Sequence, residues 1–230
     1  LIFLILNFSN IRSFNSLNLA FTIISSGGFL PTNNLSSILI NNTQIFVFSL
    51  LLLLSFFSIF LIYNIIFMKN RNLDFFYEDL HLFFYFIFII TIFLIFFSLS
   101  DNYSYILLAI TSSISNIGLS IENYDYKEYF FFLILVIIGG SFFSTSSGIR
   151  FLKIYSLFKY SINEILSYSR PKNVFVRKFL FTKINFELRD IYKYFLTLII
   201  FVFSHFILTS ILSIGGINFE HAFKLSILTL

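Results

Sequence analysis

The chain contains no cysteine. That excludes a disulfide framework, a thiolate metal site and a cysteine nucleophile. Charge is scarce too. Asp, Glu, Lys and Arg make up 11% of the 230 residues, less than half of the roughly 25% of a soluble domain. Hydrophobic residues reach 58% and mean hydropathy is +0.91, so the surface of an ordinary soluble domain cannot be built from this composition. Alanine is nearly absent while phenylalanine supplies 37 residues. That skew reads as codon bias and carries no functional meaning. Leu1 and Leu230 both lie in apolar runs, so the chain reads as a fragment, and no leader can be assessed.

Long stretches lack charge altogether. Residues 13–68, 80–100, 129–149 and 194–219 hold no Asp, Glu, Lys or Arg. A membrane-spanning helix needs about 20 mostly apolar residues. The last three stretches fit one span each. The first is interrupted by the polar run 25–37, after which a clean span is expected over 40–67. The apolar piece before it, 16–24, is too short to cross.

The basic residues give the orientation. Of the fifteen Lys and Arg, all but Arg12, Lys127 and Lys224 lie at Lys69 and Arg71 or within 150–193. Basic residues collect on the cytoplasmic side, so segments 12–42, 101–128 and 215–230 face outward. These outer segments carry Asp101, Glu122, Asp125, Glu128 and Glu220; taken alone this is ordinary loop charge, and beside a pore it is a weakly acidic mouth that would attract cations.

The outer segments repeat one pattern. Each has polar residues, a short apolar helical piece, then small polar residues and glycine. The first ends Ser25-Ser26-Gly27-Gly28-Phe29 and the second Ser115-Asn116-Ile117-Gly118-Leu119. The third opens at Asn218-Phe219-Glu220-His221. Ten to thirteen residues of helix span about 15–20 Å, roughly half a bilayer. Irregular backbone at membrane depth must be buried in protein or line water. A half-length helix aimed at the bilayer centre puts its negative end there, and backbone carbonyls can then replace a cation's hydration shell. Gly28 and Gly118 allow the φ values this needs.

A further break falls where a span should cross. After an apolar run come Gly139, Gly140, Ser141, Phe142, Phe143, Ser144, Thr145, Ser146, Ser147 and Gly148, followed by Ile149, Arg150 and Lys153 on a resumed helix. Such material is poor helix interior, and discontinuous helices mark transport sites. The plainer alternative is the simple cytoplasmic end of a helix; a phosphate loop is excluded, since no Gly-Lys-Ser/Thr follows and no strand precedes.

The run Ile138-Gly139-Gly140-Ser141-Phe142-Phe143-Ser144-Thr145-Ser146-Ser147-Gly148-Ile149-Arg150, with Ser169-Arg170-Pro171-Lys172 after it, resembles the membrane subunit of Trk/Ktr/HKT-type potassium uptake systems, closest to the TrkH branch. The two glycine loops resemble that family's second and third filter loops. The resemblance implies an all-α polytopic membrane protein. Its tandem helix–pore loop–helix repeats would surround a pseudo-fourfold pore, with one helix broken. Residues 1–67 would be the second repeat, 68–78 a cytoplasmic loop, 79–167 the third repeat, 168–186 a basic cytoplasmic loop, and 187–230 the start of the fourth. The filter carbonyls would come from Ser25, Ser26, Gly27 and Gly28, and from Ser115, Asn116, Ile117 and Gly118. The gate would be residues 139–148 with Arg150 and Lys153. The family further implies K⁺ as the transported ion and a homodimer in the bacterial cytoplasmic membrane. It also implies a cytosolic nucleotide-binding, TrkA-like regulatory subunit. No nucleic acid, resident cofactor or catalytic residue is implied. Ile117 is bulkier than the family's usual residue, Leu119 replaces an aromatic, and Ser146 and Ser147 stand where glycine is usual.

Other polar residues have plainer readings. His81, His205 and His221 show no ligand spacing and are read as structural. Glu78 and Asp79, with Asp74, are read as balancing Lys69 and Arg71 beside an inner loop. Arg150 and Lys153 either snorkel to the inner interface or set the potential at the pore's inner mouth. The basic residues from Arg170 to Lys183 suit anionic headgroups or the regulatory partner. An electron-transfer subunit would need paired histidines for haem. An intramembrane enzyme would need a catalytic Asp pair, a metal motif or a Ser–His dyad, and no acid is expected within a span. The alternative that stays open is a non-catalytic structural subunit of a multi-subunit membrane complex.

Overall fold

The computed structural model describes residues 1–32, 34–59, 76–96, 103–121, 126–169 and 188–229. Helices α1 (Ile2–Phe8) and α2 (Ser13–Ser25) are followed by a 3₁₀ turn at Leu35–Ser37 and by α3 (Asn42–Phe56). Then come α4 (Phe76–Phe96), α5 (Tyr103–Ile114) and α6 (Tyr126–Ile137). Two-residue strands β1 (Ile138–Gly139) and β2 (Ile149–Arg150) bracket the broken segment. Helices α7 (Phe151–Ser169), α8 (Leu188–Ile214) and α9 (Phe219–Thr229) complete the described chain. Apart from the β1–β2 pair, which is parallel, its regular structure is helical.

Local chemistry sets several of these ends. The Gln44 side chain accepts the N–H groups of Ile40 (2.9 Å) and Asn41 (3.3 Å) at the start of α3. Its amide donates to the Ser9 carbonyl at 3.1 Å. One buried side chain thus caps α3 and ties it to the end of α1. The core is two adjoining apolar clusters. Leu6, Leu19, Ile23, Ile45, Phe48 and Leu52 join α1, α2 and α3. Leu82, Phe86, Phe93, Ile110, Phe132 and Phe151 join α4 through α7. Leu108, Ile117 and Leu119 belong to the first cluster although they lie on α5 and just after it. That packing draws the second glycine loop toward the first.

The spans differ from expectation in one place. The helix expected over 40–67 stops at Phe56, and Phe57 is extended with ψ 164°. The residues from 60 to 75 lie outside the described ones. The stop is tertiary in origin. The carbonyls of Ser55 and Phe56 accept N–H groups from Ser146 (3.2 Å) and Ser141 (3.0 Å). Among the described residues, one helix, Arg189–Ile214, is long and apolar enough to cross a membrane, and 11% of its most apolar window is buried. Phe195, Ile200, Phe203, Ile207 and Ile211 all point outward. An apolar helix exposed on most sides suits a lipid surround.

Candidate functional site

Helices α2 and α5 end in the same way. The N–H of Ser26 bonds the Ile23 carbonyl (3.4 Å) and that of Gly27 the Thr22 carbonyl (3.3 Å). In α5 the N–H of Asn116 bonds Ser113 (3.2 Å) and that of Ile117 bonds Ser112 (3.0 Å). Both are Schellman closures, and both place a left-handed residue just past the helix: Ser26 at φ 50° and Asn116 at φ 57°. Two residues on, each chain is left-handed again, at Gly28 (φ 68°) and Gly118 (φ 73°). Alternating the sign of φ lets consecutive carbonyls face one side, which main-chain cation coordination requires.

A side chain anchors each loop to its own helix. The Thr22 hydroxyl donates to the Phe29 carbonyl seven residues on. The Leu119 N–H donates to the Ser112 hydroxyl at 2.6 Å, again seven residues apart. Thr22 and Ser112 are both buried. Neither was a candidate from sequence. The signal that would have found them is a hydroxyl six positions before the last glycine of each loop.

The two loops are brought together. A Cβ on Gly28 would collide with the Ile117 carbonyl oxygen. Around Gly118 the corresponding position is open. A cavity of about 140 Å³ lies beside Gly118, between α5, α6 and Leu228 of α9. Ile117 and Leu119 are each 5% exposed and packed in the core, so their bulk faces away from the loop's open side. Ser25 and Ser115 turn their hydroxyls back to helix carbonyls, Phe21 at 2.8 Å and Ser112 at 3.2 Å.

The broken segment folds onto both. Ser141 and Ser146 bond the end of α3, as above. Phe151 N–H returns to the Gly140 carbonyl at 3.2 Å. Arg150 is turned into the segment rather than snorkelling. Its guanidinium donates to the carbonyls of Ser141 (3.2 Å), Ser144 (3.2 Å) and Ser146 (2.9 Å), and to the Ser144 hydroxyl (2.9 Å). Ser146 Oγ accepts the Gly140 N–H at 2.9 Å. Three glycines are required sterically. A Cβ on Gly139 would strike the Ser147 carbonyl oxygen and one on Gly140 that of Phe56, while Gly148 sits at φ 81°. Lys153 is half-buried on α7, and among the described residues nothing draws its ammonium to the segment.

Glu78 and Asp79 correct the sequence reading. Helix α4 begins at Phe76, so both acids sit in its first turn, each 3% exposed. Glu78 Oε1 accepts the Phe142 N–H at 3.0 Å and Asp79 Oδ1 the Ser58 N–H at 2.9 Å. Each carboxylate takes a donor freed by a different helix break, one after α3 and one after α6. A buried N–H left without a partner costs about 1–3 kcal/mol, so these acids hold the breaks in place.

The third outer segment forms α9 and packs on α8. Ser226 Oγ lies 2.7 Å from His205 Nδ1 and 2.8 Å from Thr209 Oγ1. His205 thereby ties α8 to α9, and this Ser–His pair has no third member, since His205 Nε2 has no hydrogen-bond partner among the described residues. Residues 170–187, with most of the basic stretch, lie outside the described residues.

No family model matches this chain, and no curated protein matches it. Among solved structures it matches the crystal structure of the potassium transporter TrkH from Vibrio parahaemolyticus, with a TM-score of 0.70 over 96% of this chain at 15% identity. The chain spans 50% of the length of that structure. The fold is therefore of the TrkH type.

Proposed function

We propose that this protein carries K⁺ across the bacterial cytoplasmic membrane, through a filter made of main-chain carbonyls from residues 25–28 and 115–118. The observation that carries the proposal is the pair of half-length helices with identical endings, whose loops touch at Gly28 and Ile117. Each helix presents a C-terminus worth roughly half a negative charge. Neither loop contains a carboxylate. Selection then rests on carbonyl number and spacing, which suits a monovalent ion that must lose its water and leave again.

In this reading the segment 139–148 is the gate. With the segment docked, the fixed charge of Arg150 lies among the carbonyls of Ser141, Ser144 and Ser146 and opposes a cation leaving the filter. The four-repeat pore, the homodimer and a cytosolic nucleotide-binding regulatory subunit are what the sequence resemblance implies, and they extend the proposal to the whole assembly.

Expressed from its complete gene, the protein should restore growth at low K⁺ to a bacterium lacking its own potassium uptake. Failure to restore growth, with the protein present in the membrane, contradicts the proposal. Thr22→Val with Ser112→Ala removes both loop tethers, each worth about 1 kcal/mol. K⁺ over Na⁺ discrimination in flux assays should fall several-fold while transport persists. Unchanged discrimination would show that the tethers do not set loop geometry.

A further inference from the structure

The broken segment alternates in burial. Ser144 and Ser146 are buried and bond each other (2.9 Å) and Arg150. Thr145 and Ser147 face the other way and are exposed. Each of these two meets one glycine loop. Thr145 Oγ1 lies 3.1 Å from Ser26 Oγ, and Ser147 Oγ accepts the Asn116 side-chain amide at 2.8 Å. Ser26 and Asn116 are the equivalent left-handed residues of the two loops. Two residues two positions apart on the segment therefore engage the same structural position in two repeats. The contacted residues are the left-handed ones that close each helix end, Ser26 directly after α2 and Asn116 two residues after α5. Asn116 Oδ1 is buried without a partner among the described residues, so its amide is held through Ser147.

We propose that Thr145 and Ser147 latch the segment to the inner end of both loops, so that the segment leaves only by releasing Ser26 and Asn116. Gate movement and filter geometry then change together: an open gate comes with a relaxed filter, and a well-formed filter holds the gate shut. This rests on the transport reading above and adds a regulatory link to it. The other anchors of the segment, at Ser55, Phe56 and Glu78, hold it to the scaffold and leave the loops untouched. Thr145 Oγ1 also donates to the Ser55 carbonyl at 3.4 Å, so Ser147→Ala alone is the change that releases the latch with every scaffold anchor kept.

The absence of native cysteine makes the test clean. Ser26→Cys with Thr145→Cys is introduced into the complete gene product, which is reconstituted in vesicles of bacterial phospholipid. Thiol labelling reports whether the disulfide forms, and Rb⁺ flux reports conduction. The cross-link should form under mild oxidant, lower Rb⁺ flux more than about tenfold, and release it again on reduction; losing two neutral hydrogen bonds instead gives a change of that same order in the opposite direction. So Thr145→Val with Ser147→Ala should raise flux roughly tenfold, Ser147→Ala alone several-fold, and both should weaken Rb⁺ over Na⁺ discrimination. The latch is overturned if both thiols stay free under oxidant, if the cross-linked protein conducts like the reduced one, or if the valine–alanine variant conducts unchanged. Unmodified protein that passes no Rb⁺ overturns the transport reading instead, and the latch with it; cross-link yield tells the two failures apart.

Discussion

Gly28→Ala should lower Rb⁺ uptake by about a hundredfold, the order of loss that an ångström of misplacement causes in other precisely positioned sites, while the protein still reaches the membrane. Two effects combine. Gly28 sits at φ 68°, where a Cβ costs about 1–2 kcal/mol. That Cβ would also collide with the Ile117 carbonyl oxygen, which is itself one of the proposed filter ligands. The backbone of one loop must therefore move, and the carbonyl spacing moves with it. Gly118→Ala is the informative contrast. Its φ is 73° and its Cβ position is open, so only the backbone cost applies, and a loss of roughly tenfold is expected. Measuring both variants by Rb⁺ uptake, normalised to membrane protein, tests the geometry. Equal losses would contradict the contact between the loops.

Glu78→Ala should make the protein leaky, with Rb⁺ flux up by at least about tenfold. The carboxylate holds the broken segment through the Phe142 N–H at 3.0 Å. Without it the Phe142 N–H loses its partner, which costs about 1–3 kcal/mol for a buried group, enough to shift a docked–undocked balance by one to two powers of ten. Glu78→Gln keeps an acceptor oxygen in place and should recover most of the closure. Asp79→Ala frees the Ser58 N–H after α3 instead, and it should loosen the floor on which Ser141 and Ser146 rest. Flux in vesicles and thermal unfolding of the purified variants separate leak from general destabilisation. If Glu78→Ala and Glu78→Gln behave alike and like the unmodified protein, the carboxylate does not position the segment.

The helical architecture could be read from charge-free runs because burial in lipid leaves its mark on composition. The positions of the two glycine loops and the broken segment could be read because glycine, serine and asparagine gather where the chain turns left-handed, at Ser26, Gly28, Asn116, Gly118 and Gly148. Other features were hidden for physical reasons. Nothing in Leu50-Leu51-Leu52-Leu53-Leu54 announces a stop at Phe56. The stop depends on donors from Ser141 and Ser146, far along the chain. Glu78 and Asp79 looked like loop charges because sequence cannot show two orphaned N–H groups converging on one helix start. Arg150 was poised between two surface roles because its true partners are carbonyls, which every residue has. Ile117 looked obstructive, yet its side chain is core and its carbonyl is what faces Gly28. In each case the deciding interaction runs through the backbone.

The central claim is that main-chain oxygens of the two touching loops bind a dehydrated K⁺. The most direct test is anomalous diffraction from crystals of the complete protein grown with Tl⁺ or Rb⁺ in place of K⁺. A peak between residues 26–28 of the first loop and 116–118 of the second, at coordination distance from their carbonyls and lost in Gly28→Ala, is the expected result. Heavy-ion density only elsewhere, with these loops empty at saturating ion, would contradict the account.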